Sequence, residues 1–452
     1  MEGMKARLRL IIFSAALLVF VLGGAYLVAL AQGWIFDFSR LEIVKTGGLY
    51  LNFNPADAAL KVNGKTMTVS RDFIGGGRLI KNLLPGDYKI DVSKNGYRSW
   101  QKNLPVRPGV VTAETHIKLW PDELKSENVS ADSVSDFWLT SEGVVYKAPN
   151  DSLIFKNRAI KGQKAVLASP ASNYIATSQD QNYFLTDLKN PASALNLSDI
   201  FNSLKQQTLH YPGFVPLKSV HFHPFSPDKL ILATNASIYT LDLNKIGLSE
   251  NLRGTNLTSV SLGSNAVFAL DRGRAVLWVN LILGTVNAID FGTSTRFQTL
   301  TVSPDGNHWL FTDENENLFL ANSAQKPPLK ISADIKSFSL SPDSKRVSLV
   351  NGTGALSVFF IETYDDDFHA SASTTLTLDL PNSRTTTEWR WLNLPNHFLV
   401  LKDGNLIAGE IDPYLPLNFH TLTTGVKKYI LNGSDLYMLN DSKELLKFYL
   451  NQ

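Results

Sequence analysis

The residue types that could do chemistry form only a few groups in this sequence. His221 and His223 lie two positions apart on a predicted strand, so their side chains point to one face and could bind a metal ion. The acidic run 365–367, with His369 close by, could bind a divalent cation through oxygen atoms. Neither group has a further ligand at a known spacing. We therefore predict packing histidines, a solvated acidic loop, and no metal or cofactor.

Trp389 and Trp391 form a third group, again on one face of a predicted strand and next to a polar segment. Exposed aromatic side chains contribute strongly to binding between macromolecules, so the pair is a candidate recognition surface. The alternative is that both tryptophans pack inside a β-sheet repeat. The sequence leaves these two interpretations open.

Catalytic signatures are absent from the chain. It contains no G-x-S-x-G, H-E-x-x-H, G-x-G-x-x-G or complete P-loop motif. Gly64-Lys65-Thr66 has the letters that end a P-loop, but no glycine stands five residues earlier, and the flanks indicate strand, turn and strand. We therefore predict that the protein is not an enzyme.

Composition excludes several other classes of protein. The 452 residues are 44% hydrophobic and 19% charged, which suffices for a large core. The net charge of only +2 argues against broad nucleic-acid binding, which needs a concentrated basic surface. Because cysteine is absent, a disulfide scaffold and a cysteine-ligated zinc site are both excluded.

Residues 10–31 predict a transmembrane helix. The run from Leu10 to Ala31 carries no charge, and 13 of its 22 residues are Leu, Ile, Val or Phe. At helical rise it spans about 33 Å, which matches a hydrocarbon core of ~30 Å. Phe20 lies near its centre, and Trp34 follows it where an aromatic belt is expected. We predict that the bilayer contacts include Leu10, Phe20, Ala31 and Trp34.

Charges beside this helix predict its orientation. Three basic residues lie between positions 5 and 9, so the tail of residues 1–9 is expected in the cytoplasm and the C-terminal body outside. The Ala-Leu-Ala sequence ending at Ala31 also fits a signal-peptide cleavage site. Cleavage after Ala31 is the alternative to a retained anchor. Both interpretations export residues 33–452 to the extracytoplasmic side of the cell membrane.

Residues 47–119 follow a juxtamembrane segment (32–46) and alternate short strands with tight turns. Asn63-Gly64 and Asn95-Gly96 are type I′ hairpin signals. About six or seven strands fit into the segment, which predicts a small β-sandwich.

The turns of this segment resemble those of the PEGA domain family. The matching landmarks are a first strand ending in Pro55-Ala56-Asp57-Ala58, then Asn63-Gly64, Leu84-Pro85-Gly86-x-Tyr88, Gly96-Tyr97, and a closing strand to Leu119. Ala56 and Asp57 replace the Glu and Gly of the motif that names the family. The resemblance implies an extracytoplasmic β module of bacterial and archaeal envelope proteins, without enzyme activity.

A repeated β unit follows a polar linker (120–132) and fills residues 133–452. Its turn recurs as Ser303-Pro304-Asp305-Gly306, Ser341-Pro342-Asp343-Ser344, Ser226-Pro227-Asp228-Lys229 and Ser169-Pro170-Ala171-Ser172. Ser303 and Ser341 are 38 residues apart, and Ser226 lies 77 residues before Ser303. A period near 40 with several strands per repeat is typical of a β-propeller blade. The repeats resemble those of TolB-like and WD40-like propellers.

Eight blades are predicted, with a seven-bladed ring or one or two sandwich domains as alternatives. Their core strands are expected near 136–156, 164–188, 218–243, 258–283, 297–321, 336–362, 388–411 and 426–450, with insertions at 190–217 and 365–387. The last unit is one strand short, so ring closure needs a strand from residues 124–131.

The fold class is therefore all-β, with one N-terminal transmembrane helix, a PEGA-like β-sandwich and a propeller. We predict a membrane-anchored binding or scaffold protein of the cell envelope whose propeller recognises a protein or glycan partner. The alternative is an enzyme, a lyase or hydrolase acting on a surface polymer from a site in the propeller channel.

Overall fold

The computed structural model describes residues 2–38, 41–69, 76–130, 132–323, 327–380 and 386–450. It begins with helix α1 (Glu2–Ala31), and the hairpin β1 (Trp34–Asp37) and β2 (Glu42–Lys45) follows. Within α1, the stretch Leu10–Ala31 is long and apolar enough to cross a membrane. Its side chains pack on no other element, and Phe20 is 77% exposed. A helix that is apolar all round needs lipid or protein around it.

Seven strands form a β-sandwich after this hairpin, in agreement with the predicted number. The strands are β3 (Gly47–Asn54), β4 (Ala59–Val62), β5 (Lys65–Thr66), β6 (Arg78–Leu83), β7 (Gly86–Ser93), β8 (Trp100–Val106) and β9 (Val111–Lys118). One sheet has the order β6-β3-β9 and the other β5-β4-β7-β8. Leu49, Leu51, Ile90 and Leu104 are fully buried in the core between them.

The Asn63-Gly64 turn confirms the predicted hairpin. It joins β4 to β5, with Val62 opposite Lys65 and positive φ angles of 48° and 78° at the two turn residues. Asn and Gly are the residues that adopt this conformation at least cost. Gly64-Lys65-Thr66 is therefore a hairpin and not a phosphate-binding loop.

Eight four-stranded sheets follow the sandwich in the described part of the chain. The first four blades are β11 (Asp136–Thr140), β12 (Gly143–Lys147), β13 (Leu153–Phe155), β14 (Arg158–Ile160); β15 (Lys164–Leu167), β16 (Tyr174–Gln179), β17 (Asn182–Asp187), β18 (Ala194–Asn196); β19 (Ser219–Phe222), β20 (Lys229–Ala233), β21 (Ser237–Asp242), β22 (Gly247–Arg253); and β23 (Leu257–Leu262), β24 (Ala266–Asp271), β25 (Ala275–Asn280), β26 (Val286–Asp290).

The remaining four blades are β27 (Phe297–Val302), β28 (Trp309–Asp313), β29 (Leu318–Ala321), β30 (Leu329–Ser332); β31 (Ile335–Leu340), β32 (Arg346–Asn351), β33 (Leu356–Phe360), β36 (Thr375–Leu378); β37 (Thr386–Trp391), β38 (His397–Lys402), β39 (Asn405–Glu410), β40 (Phe419–Thr423); and β41 (Val426–Asn432), β42 (Asp435–Asn440), β43 (Leu445–Tyr449), β10 (Ser126–Asn128). A small hairpin, β34 (Tyr364–Asp365) and β35 (His369–Ala370), interrupts the sixth blade.

The eighth blade closes the propeller with a strand from the N-terminal side of the repeats. Strand β10 pairs with β43, with Ser126 opposite Phe448 and Asn128 opposite Leu446. Strand β11 of the first blade also contacts β41 of the eighth. The predicted closing segment thus supplies the fourth strand, which covers an edge that would otherwise be open to pairing with another chain.

Two segments predicted as insertions contain regular structure. Residues 190–217 include β18, the fourth strand of the second blade, and helix α2 (Leu197–Leu209). Asn196 caps α2 by accepting hydrogen bonds from the amides of Ser198 and Asp199. The second segment, 365–387, contains β35 and β36, and its residues 381–385 lie outside the described residues. The strands of this second segment are too short for an alternating apolar pattern to be recognised in the sequence.

The Ser-Pro-Asp turns are held together by side chains. Ser341 Oγ accepts a hydrogen bond from the Arg346 amide at 2.9 Å and bonds to the Asp343 carboxylate. Asp343 in turn accepts from the Lys345 amide at 3.1 Å. The turn at Ser303 repeats this pattern. A buried serine hydroxyl therefore replaces a backbone partner at the entrance to β32.

Replacing Ser341 by alanine is expected to lower the free energy of unfolding by about 1–2 kcal/mol, because it leaves a buried amide without an acceptor. Ser226→Ala is the matched control. Ser226 is half-buried, and among the described residues its hydroxyl forms no hydrogen bond, while its carbonyl accepts from the Lys229 amide. We expect its effect to stay within about 0.5 kcal/mol. Denaturant unfolding measures both variants, and equal losses would contradict the assignment.

Candidate functional site at the sandwich–propeller junction

The β-sandwich is joined to the seventh blade by backbone and side-chain contacts. The Asn103 amide of β8 donates to the Leu415 carbonyl at 2.9 Å. Asn418 accepts from the Gln101 amide and donates to the Gln101 carbonyl, both at 3.1 Å. The loop between β39 and β40 thereby satisfies groups on edge strand β8 that would otherwise be unpaired. We call this contact region the junction.

Lys102 lies at the centre of the junction and is fully buried. Its Nζ is 2.6 Å from Glu410 Oε1 and 2.6 Å from Asp412 Oδ2, both on the propeller side. Trp100 Nε1 donates to Glu410 Oε2 at 2.8 Å, and Asn418 donates to Glu410 Oε1 at 2.6 Å. A buried cation is tolerated only when it is paired and hydrogen-bonded, and these contacts meet both conditions.

The charged groups of this cluster shift one another's pKa values. Burial opposes the charge of Lys102, but the carboxylates around it raise its pKa above the ordinary value. Burial likewise acts against Glu410, yet Lys102 holds the pKa of Glu410 below its usual range. Burial raises the pKa of Glu114 well above its usual range, and the neighbouring Asp412 raises it further. Burial also raises the pKa of Asp412, so the cluster favours the neutral form at Glu114 and Asp412 more than at Glu410.

A second cluster lies beside the first, where strand β9 meets the loop between β34 and β35. His116 Nδ1 is 2.9 Å from Asp367 Oδ2. The Thr115 amide and hydroxyl both donate to Asp367 Oδ1 at 2.7 Å, and Asn396 donates to Oδ2 at 3.3 Å. The hydrogen bond to Asp367 raises the pKa of His116. Burial opposes the charge of Asp367, but donors from His116 and Thr115 hold the pKa of Asp367 below its usual range.

His116, Asp366 and Asp367 are also the one group of described residues whose ligand atoms lie close enough for a metal ion, within 4.8 Å of one another. The nitrogen and oxygen atoms suit Zn²⁺ or a similar ion. However, both oxygens of Asp367 already accept hydrogen bonds, including one from His116 itself. The arrangement is complete as an ion pair, and we assign it that role.

The fold thus places the residues of the acidic run 365–367 in different environments. Asp367 is buried against the sandwich, whereas Asp365 stays exposed and lies 3.4 Å from the exposed His369. Asp366 is exposed as well, so Asp365, Asp366 and His369 match the predicted solvated loop and Asp367 does not. The histidine that meets the acidic run is His116, which lies about 250 residues earlier in the chain.

The candidate recognition residues Trp389 and Trp391 are buried in the seventh blade, where they are 5% and 9% exposed. Trp389 stacks on Phe398 with ring centroids 4.1 Å apart. Trp391 donates to the Ser339 carbonyl at 3.1 Å and lies under the Arg346 guanidinium, 5.1 Å from its ring. Both therefore contribute to packing between blades, and a role in recognition stays a prediction.

His221 and His223 lie on β19 and beside it, away from the junction. His221 Nε2 is 2.9 Å from Ser219 Oγ. His223 is buried edge-on against Phe225, with ring centroids 4.5 Å apart. Burial lowers the pKa of both histidines. Among the described residues, no third ligand joins them.

A cavity of about 450 Å³ opens at the junction between strands β3 and β9 on one side and the last two blades on the other. It is lined by Asn52, Phe53, Asn54, Thr115, His116, Ile117, Lys118, Trp120, Leu392, Asn393, Leu394, Gly433, Ser434 and Leu450. The cavity has the size of a small-molecule site.

Sequence reasoning missed the junction residues, although two signals were present. Glu114, His116 and Lys118 recur at every second position of β9, which places titratable groups in a row. Lys102 occupies the buried register of β8, between Trp100 and Leu104. A lysine at an apolar position of an alternating strand predicts a buried cation that needs carboxylate partners.

Comparison with known proteins finds distant structural similarity only. No protein-family model matches the chain, and no curated protein matches it in sequence. Similar solved structures include a chain of the Mitotic Checkpoint Complex (10% identity, TM-score 0.40, covering 74% of this chain and 93% of that one), Kluyveromyces lactis Hsv2 (9%, 0.42, 65% and 100%) and the Cps50 (Swd1) β-propeller domain of Myceliophteria thermophila (13%, 0.34, 50% and 80%). At such identities and TM-scores these similarities carry no argument about function. The strands themselves define a β-propeller protein that carries a β-sandwich and one apolar helix.

Proposed function

We propose that the protein is a membrane-anchored scaffold of the cell envelope, held by α1 and directed outside the cytoplasm, whose propeller binds a protein or glycan partner. The observation that carries this proposal is the exposed apolar stretch of α1 next to a large β body. In this arrangement the β-sandwich, for which we keep the PEGA-like interpretation, lies between the membrane and the propeller.

The junction supports a rigid head rather than a flexible stalk. Lys102, Glu410 and the His116–Asp367 pair join sandwich and propeller through buried charges, which tolerate little relative movement. A rigid head presents its loops at a fixed distance and angle from the membrane. The charged residues that join sandwich to propeller are paired with one another, so we propose binding rather than catalysis on a surface polymer.

Anchoring is tested by charging the centre of α1. We estimate that its apolar residues favour insertion by about 4–8 kcal/mol, and each central arginine opposes it by about 2.5–3.5 kcal/mol. The double variant Phe20→Arg/Val21→Arg is therefore expected to leave the membrane fraction of bacterial cells. The matched control Phe20→Leu/Val21→Leu should stay with the membrane, because it keeps the helix apolar.

Protease added to spheroplasts should digest the head of the wild-type chain, since the head lies outside the cytoplasm. A head that is protected until the cells are lysed would contradict the orientation. A mature N-terminus at Gln32 would replace the anchor by a cleaved signal. Partner binding is tested separately, with the full chain in detergent micelles as bait for envelope proteins and wall polysaccharides. Failure of both classes to bind saturably would contradict the scaffold role.

A further inference from the structure

The junction cavity has an unusual charge content. Its charged lining residues are Lys118 and His116, the latter already paired with Asp367, and no carboxylate is among the described lining residues. Asn52, Asn54 and Asn393 add amide groups, while Phe53 and Trp120 supply aromatic surface. Lining of this kind offers one positive charge, several hydrogen-bonding groups and an apolar wall, which is the usual composition of a site for a small polar organic ligand.

Lys118 is the feature that points to a ligand. It is only 9% exposed, yet within the described part of the chain its Nζ forms neither an ion pair nor a hydrogen bond. Its one contact of note is the Trp120 ring, 5.7 Å from Nζ. Burial alone lowers the pKa of Lys118, and no carboxylate compensates. By contrast, the fully buried Lys102 has two carboxylates at 2.6 Å. An ammonium group that is largely withdrawn from water and has no acceptor is unfavourable, so Lys118 would gain from an anionic partner in the cavity.

We propose that the junction cavity binds a hydroxylated carboxylate of the size of one sugar, the acidic residue of a glycan, with the carboxylate on Lys118. The carboxylate supplies the acceptor that Lys118 lacks. The three asparagine amides reach hydroxyl groups, because each amide offers both donors and an acceptor. The apolar face of the ring packs on Phe53 and Trp120. This inference rests on the proposed glycan-binding function and narrows its substrate class.

The charge of the cavity lining favours an acidic ligand over a cationic or a neutral ligand. A cation would meet Lys118 without any carboxylate among the described lining residues. A neutral sugar would leave the buried ammonium group unpaired, which discards the strongest interaction that the cavity offers.

Calorimetry on the full chain in micelles tests the proposal, with glucuronate, glucose and inorganic phosphate as probes. Glucuronate should bind, and glucose should bind about tenfold more weakly or not at all, since a charge-assisted hydrogen bond is lost. Equal binding of glucuronate and glucose, no binding of glucuronate at millimolar concentration, or phosphate binding as tightly as glucuronate would overturn the proposal.

Lys118→Met separates the ligand role from a structural one. We expect glucuronate binding to weaken at least about tenfold in this variant, while thermal unfolding shows a melting temperature equal to or above that of the wild type. A purely structural lysine would instead lower the melting temperature. Lys81→Met, an exposed lysine on β6 of the same sandwich, is the control and should change neither quantity. Membrane fractionation is independent of this binding, so failure here is distinguishable from failure of the anchor.

Discussion

Replacing Lys102 by methionine is expected to destabilise the protein by about 3–5 kcal/mol, the range typical of removing one partner from a buried charge cluster. Methionine fills a similar volume, so the loss is electrostatic rather than a cavity. Without Lys102, Glu410 and Asp412 would face each other and Glu114 in a buried site with no cation in contact. The fold would have to protonate them or admit water.

Denaturant unfolding of the full chain in micelles measures this loss, and the exposed Lys81→Met serves as control. The triple variant Lys102→Met/Glu410→Gln/Asp412→Asn removes the charges together and should recover a large part of the stability. Recovery distinguishes an uncompensated charge from general damage to the junction, since well-packed neutral groups can replace a buried ion pair at little cost. A single variant that unfolds like the wild type would show that the cluster contributes nothing.

The architecture could be predicted from the chain because its core strands are apolar and its turns are chemically distinctive. The strands predicted near 297–321 correspond to β27–β29, which run from Phe297 to Ala321. A fourth strand was predicted for the eighth blade alone, and the fourth strands of the other seven blades were missed because they lie at the edge of their sheets, where several bury little. Strand β26, for example, is almost entirely exposed. An exposed edge strand has no apolar face for a pattern to show.

The junction could not be predicted because its partners are distant in sequence. Trp100 and Glu410 are separated by 310 residues, and a single sequence gives no information about which loops meet across such a distance. The row of Glu114, His116 and Lys118 on β9 indicates a polar face, but not what covers it. Conversely, the tryptophans that stood out in the sequence are mainly packing residues, since large aromatic side chains are as useful inside blades as on a surface.

Asp367→Asn is expected to destabilise the junction by about 2–4 kcal/mol, because a buried carboxylate that accepts several hydrogen bonds is replaced by a neutral amide. Thr115 and His116 would both lose a charged acceptor. The effect depends on pH in a defined way. The pKa of His116 is raised in the folded protein, so its contribution is complete below the ordinary histidine pKa of 6.5 and is lost as pH rises through the folded pKa.

The contribution of Asp367 to stability changes with pH in the opposite direction. The pKa of Asp367 is lowered in the folded protein, so its contribution is present above the ordinary aspartate pKa of 3.8 and is lost as pH falls through the folded pKa. The stability difference between the wild type and Asp367→Asn should therefore be largest between these two pH values and should shrink above them. Asp366 adds to the raised pKa of His116, and Arg346 opposes it.

The comparison must be made as a difference between variants, since other histidines titrate in the same range. Burial lowers the pKa of His397 and His420, so these residues make the folded state more stable as pH rises. Subtracting the Asp367→Asn curve from the wild-type curve removes that background. Asp365→Asn, at an exposed position of the same loop, is the control and should give a curve parallel to the wild type. A wild-type advantage that stays constant from pH 5 to pH 9 would exclude the His116–Asp367 ion pair as a stabilising contact between sandwich and propeller.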